Sequence, residues 1–231
     1  MRLRAIAPAL LAALLATLAP LALAEDKPAA PAAPGAVAPV PAGLDGGDPM
    51  PAGAAKIAFP WMAKQSITAT SDAFERTVAQ VDFSDDAHAA LGEIAIDAKG
   101  GGSGAFSVKV ADLKTGAAGR DDHLRSAGWL DMEKFPDVKL QITKLERAKP
   151  TVFKMEGTWT MHGVSKPISA WANVRYLAEM DHLGKDIVRV KASFDVSLKA
   201  HGMTNPGIGS PAVSDTWRVE VVLLGLMTKG S

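Results

Sequence analysis

Five histidines are the side chains in this sequence best suited to chemistry: His88, His123, His162, His182 and His201. Cysteine is absent, which removes thiolate chemistry, a disulfide framework and a lipid-modified cysteine anchor. His123 stands beside Asp121, Asp122 and Ser126 inside Arg120–Pro136, RDDHLRSAGWLDMEKFP, and that grouping invites a hydrolase reading. A serine nucleophile needs a base within hydrogen-bond reach and an oxyanion donor, and this spacing supplies no strand–turn–helix elbow. The spacing favours a mechanical role instead, in which Arg120, Asp121, His123 and Arg125 hold a polar connection through ion pairs and caps. The histidines are scattered singly, with no pair at i, i+4 and no short zinc-type spacing, so no metal is assigned; two distant ones could still meet at a barrel mouth. The run Gly100–Gly104 lacks the lysine–serine ending and helix start of a phosphate loop, and reads as a flexible link. No catalytic residue and no cofactor are assigned.

The elements that must position these residues are strands. From Lys56 onward the dominant period is two. Ile94 with Ile96, Phe106 with Val108, and Val138, Leu140 and Ile142 each share a face. The pattern sharpens later: Phe153, Met155, Trp159 and Met161; Ala170 and Ala172; Val190, Ala192 and Phe194; Trp217 and Val219, each set opposite polar neighbours. Strands with one apolar and one wet face argue for antiparallel pairing. Short links such as Gly163–Pro167 favour a meander closing on itself, which removes its edges. The expected fold is all-β, an up-and-down barrel of about eight strands with a short helical connection near 120–132. Leu124, Trp129 and Leu130 would fix that connection to the barrel.

The first residues have a different character. Arg2 and Arg4 precede an uncharged alanine- and leucine-rich stretch, and Ala22-Leu23-Ala24 offers small residues where a signal peptidase cuts. Residues 1–24 are therefore expected to be a signal peptide, which addresses the chain to the periplasm. Residues 25–56, rich in proline and alanine, read as a disordered linker, and 57–231 as the barrel domain. Charge is balanced at 25 basic and 25 acidic residues, giving no electrostatic case for nucleic acid.

Three short stretches point further. Arg120-Asp121-x-His123-Leu124-Arg125-Ser126, the aromatic Trp129 two residues before Asp131, and Phe135-Pro136 form the first. His162-Gly163-Val164-Ser165-Lys166-Pro167 is the second, and Gly202-Met203 with Val213-Ser214-Asp215 the third. Together they resemble the motifs of the YceI-like polyisoprenoid-binding proteins, over roughly Ile57 to Lys229. The family's arginine and aspartate before Gly202 are replaced, Leu198-Lys199-Ala200-His201 standing there with histidine in the aromatic place. The resemblance implies a lipocalin-like barrel, exported to the periplasm, that holds an isoprenoid or other long-chain lipid and performs no chemistry on it.

On that reading the ligand-facing residues are Phe106, Val108, Phe153, Met155, Trp159, Met161, Ala170, Ala172, Val190, Ala192, Phe194, Trp217 and Val219. Arg120, Asp121, His123, Leu124, Arg125 and Trp129 shape a lid at the mouth. The alternative is a barrel with a filled core, presented by its tether to a protein partner or the envelope and carrying no ligand. A peripheral envelope contact and a dimer are both compatible with the sequence.

Overall fold

The computed structural model describes residues 39–73, 76–84, 90–180 and 183–230. The expected signal peptide, the first part of the expected linker, His88 and His182 lie outside them. Alternating apolar and polar side chains produce eleven strands: β1 (Ala55–Phe59), β2 (Ser66–Ser71), β3 (Arg76–Val81), β4 (Gly92–Ile96), β5 (Gly102–Lys109), β6 (Leu113–Lys114), β7 (Asp137–Lys149), β8 (Val152–Met161), β9 (Val164–Met180), β10 (Gly184–Ser197) and β11 (Thr216–Lys229). One helix, α1 (Ala118–Arg125), and two 3-10 turns, Val110–Asp112 and Lys199–His201, complete the described elements.

The strands pair antiparallel in the order β1-β4-β5-β7-β8-β9-β10-β11, and β1 pairs back onto β11 to close a barrel of eight staves. The first three staves are each broken in two. β11 meets β1 along one half, Ala58 opposite Leu226, and β2 along the other, Ser66 opposite Val222. β3 then continues from β2, and β6 from β3. These breaks explain why the opening strands are weakly patterned in the sequence. Gly102 and Gly104, expected in a loop, lie within β5, where a side chain would run into the backbone carbonyls of Ala95 and Glu93. Close approach of β4 to β5, not flexibility, sets the glycines there.

Where β1 stops and β2 has not begun, β11 would carry an orphan donor. The buried amide of Gln65 fills that place. Its Oε1 accepts the Leu224 N–H at 3.1 Å, and its Nε2 donates to the Pro60 carbonyl at 2.7 Å. One side chain thus acts as a rung of the ladder.

The two ends of the barrel are closed differently. At the end holding the β7–β8 turn, residues before β1 form a strap. The Gly46 carbonyl accepts from Arg175 Nε at 2.7 Å and Asn173 Nδ2 at 3.3 Å, the Asp48 carbonyl accepts from the Tyr176 N–H at 2.8 Å, Asp45 pairs with Lys149 at 3.0 Å, and Met50 is buried in the core. The linker expected over 25–56 therefore ends sooner than its composition implies, because backbone groups, which carry no compositional signal, dock it.

At the opposite end the three sequence motifs converge. Met161 and Val164 pair across a two-residue hairpin turn in which His162 and Gly163 both have positive φ, 51° and 72°, the backbone of a primed turn. The Phe135 ring packs edge-on to His162 at 4.9 Å and lies where a Gly163 side chain would be. His162 Nδ1 donates to the His201 carbonyl at 3.0 Å. The motif histidines 162 and 201 do meet, through a ring nitrogen and a carbonyl. Asp215 anchors the corner by accepting from the Lys199 N–H at 2.7 Å and the Ser197 hydroxyl at 2.8 Å.

His201 occupies the family's aromatic position with 2% of its surface exposed. Burial lowers its pKa, opposed by the Ser197 and Trp159 carbonyls; Lys166 adds to the lowering and Asp215 offsets it. Its Nδ1 donates to the Ser197 carbonyl at 2.7 Å. Because the unfolded imidazole takes up a proton near 6.5 and the folded one does so only at lower pH, the unfolded chain binds more protons in between, and stability falls as pH drops below about 6.5. His201→Phe is expected to flatten that part of the acid-side decline, read as the urea midpoint at pH 5 against pH 7.5. Gln65→Leu leaves the Leu224 donor and the Pro60 acceptor without their partner; it should lower stability by about 1–3 kcal/mol in chemical denaturation.

Candidate functional site

The inward faces of the staves enclose a hollow rather than a filled core. Its volume is about 130 Å³. Protein interiors ordinarily hold few voids larger than one water. Among the described residues the walls are apolar apart from Thr68 and Ser107, and no titratable side chain lines them. Desolvation therefore disfavours any charged or strongly polar guest.

The alternation of each strand delivers these residues. Phe106, Val108, Phe153, Met155, Trp159, Met161, Ala172, Val190, Ala192, Phe194, Trp217 and Val219 line the hollow. Ala170 is buried in the surrounding core but is not part of the wall. Ala172 and Ala192 sit side by side across β9 and β10, and their short side chains leave the space that larger residues would close. Trp159 and Phe194 pack edge-on at 5.1 Å. The sequence reading missed Ile57, Ile67, Val81, Leu91, Val174 and Leu223 as wall residues. Leu223 was visible in its period-two pattern. Val81 shares a period-two face with Ala79 and Phe83, but the short, broken early staves make that pattern, and the one at Ile67, weak.

α1 and the residues after it are held to the barrel end by apolar packing and by hydrogen bonds to backbone groups. Leu124 and Leu130 are buried, Leu130 closes one side of the hollow, and Trp129 stacks near-parallel to Trp217 with ring centres 6.5 Å apart. In place of the expected ion pairs, Arg125 Nη2 donates to the carbonyls of Ala111 and Leu113 at 3.1 and 3.0 Å, and Arg120 Nη2 to that of Thr115 at 3.0 Å. The Asp121 carboxylate accepts from both the N–H and the hydroxyl of Thr115 at 2.6 Å, which holds its pKa below the usual carboxylate value. Lid and barrel are thus joined mainly through backbone groups of the segment between β5 and α1. His123 is exposed, and the Ser126 hydroxyl donates to its backbone carbonyl at 2.7 Å, so the serine is directed away from nucleophilic use.

A second hollow opens at the lid, lined by Ser71, Ala73, Arg76, Val78, Thr115, Arg120, His123, Leu124, Trp129, Ala212, Val213 and Trp217. Trp217 belongs to both walls. Among the described residues, no three His, Asp or Glu side chains group as a metal would require. The indole Nε1 atoms of Trp159 and Trp217 are buried without a hydrogen-bond partner, two donors left unmatched at a wall that otherwise offers almost nothing polar.

Comparison with known proteins places this architecture. A UPF0312 protein of Pseudomonas putida is 30% identical over 122 residues, 53% of this chain and 61% of that protein. A UPF0312 protein of Pseudomonas fluorescens is 32% identical over 109 residues, 47% of this chain and 56% of the relative. The chain spans about 61% of the length of the first of these curated relatives. Among solved structures, Burkholderia cenocepacia BcnA superposes with a TM-score of 0.53 at 17% identity, covering 70% of this chain and 96% of BcnA. A polyisoprenoid binding domain from Saccharophagus degradans gives 0.49 at 13% identity, covering 75% and 98%. The likeness to BcnA is one of fold. The YceI-like domain pattern matches residues 54–224, the span from the start of β1 to well into β11, and the chain belongs to the YceI-like family.

Proposed function

We propose that this protein is a periplasmic binding protein that holds a long isoprenoid or similar lipid chain inside its barrel, for carriage, storage or protection. The observation that carries the reading is the hollow itself, lined almost wholly by aliphatic and aromatic residues. Each methylene moved from water into such a lumen contributes ~0.8 kcal/mol, so a polyprenyl tail binds strongly without any dedicated polar contact. An apolar void of this kind stays dry when empty and accepts an apolar guest. The reading includes no covalent step on the lipid; among the described residues the walls present two hydroxyls, those of Thr68 and Ser107. Family membership and a barrel with unfilled interior space both favour a ligand over the filled-core alternative.

Organic extraction of the full chain purified from its native compartment should yield about one lipid per protein by mass spectrometry. Ala192→Phe, which adds a ring to the wall between β9 and β11, is expected to lower that occupancy several-fold. Overpacking would cost about 1–3 kcal/mol of stability, small enough for the barrel to remain folded by circular dichroism. Absence of stoichiometric lipid, together with no rise in thermal midpoint on adding a polyprenol, would overturn the reading.

A further inference from the structure

The lumen accounts for a tail and leaves the hollow beside the lid unexplained. That second hollow differs in kind from the first. Arg76 opens β3 and Arg120 lies in α1, and both exposed arginines line it, with His123, Ser71 and Thr115. Among the described residues, no carboxylate lines it. The one carboxylate of α1 fixed by a hydrogen bond, Asp121, is spent on Thr115. Arg120 uses one nitrogen on the Thr115 carbonyl, which orients the fork and leaves further donors. Arg76 has no bonded partner among the described residues. Two arginines lining one hollow offer more guanidinium donors than their neighbours use, and guanidinium donors match the oxygens of an anion.

The site adjoins the lumen across one residue: Trp217 lines both hollows, and its buried Nε1 has no hydrogen-bond partner among the described residues. A molecule with an apolar tail and an anionic end would meet both surfaces at once.

We propose that the lid hollow is a headgroup site for a phosphate monoester, and that the lipid held by the barrel is a polyprenyl phosphate, its tail in the lumen and its phosphate between Arg76 and Arg120. This rests on the lumen reading above and adds the chemical class of the ligand's head. Guanidinium forks match phosphate oxygens in pairs, whereas a neutral alcohol offers a single oxygen and no charge.

The test is a titration of the full chain, followed by tryptophan fluorescence, with a polyprenyl monophosphate, the polyprenol of the same chain length, and inorganic phosphate. The phosphate lipid is expected to bind about ten- to a hundredfold more tightly than the alcohol. In Arg76→Gln and in Arg120→Gln that ratio should fall toward one, with the fold checked by the thermal midpoint. Equal affinity of the unaltered protein for the two lipids would overturn the headgroup site and leave the lumen reading standing. A ratio unchanged in both variants would do the same. Inorganic phosphate binding as tightly as the phosphate lipid would show a free-ion site and overturn the lipid assignment. Failure of both lipids to bind would overturn the lumen reading, and this proposal with it.

Discussion

A barrel whose inner faces are apolar, and which is not filled by its own side chains, has to be sealed from water at both ends. Most of the remaining architecture follows from that constraint. At one end the strap before β1 is tied down by the Gly46 and Asp48 carbonyls and by the Asp45–Lys149 pair. At the other, Leu124 and Leu130 are driven inward while Arg120, Asp121 and Arg125 bind backbone groups around the rim. The charged residues of the first motif stand outside the hollow, where their hydration costs nothing, and the aliphatic ones close it. The division of labour is dictated by solvation.

The three family motifs acquire a common purpose in the same terms. They are far apart in sequence, yet Phe135, the His162-Gly163 turn and the His201-Gly202 corner touch one another. Each belongs to a connection at the lid end, and each supplies something a strand does not: a ring, a primed turn, a buried carbonyl. The histidine at position 201 keeps a flat ring in a buried place and finds a carbonyl for its N–H, which is why departure from the family's aromatic leaves the corner intact.

How much could be read in advance depended on whether side chains or backbone did the work. The walls from β8 to β11 were legible, since Phe153, Met155, Val190, Phe194 and Trp217 alternate with charged or polar neighbours, and all of them line the hollow. The first staves were not, because each is broken and the break beside β11 is bridged by a polar residue, Gln65, that a hydrophobic pattern passes over. The strap was invisible for a similar reason: glycine and aspartate carbonyls hold it, and its proline-rich composition suggests a tether. Arg76 could not be joined to Arg120 from sequence, since the pairing of β3 with the two-residue β6, just before α1, is what brings them to one hollow.

β11 is shared by three partners, β10 on one edge and β1 and β2 on the other. β1 and β2 form early in the chain and β11 last among the described strands, so the contact that closes the ring spans nearly the whole domain. Such long-range pairing makes folding slow, since loop closure precedes any return from the contact. Without β11 the remaining staves would be an open sheet with two free edges and a bare apolar concave face, so one strand keeps the whole lumen from water.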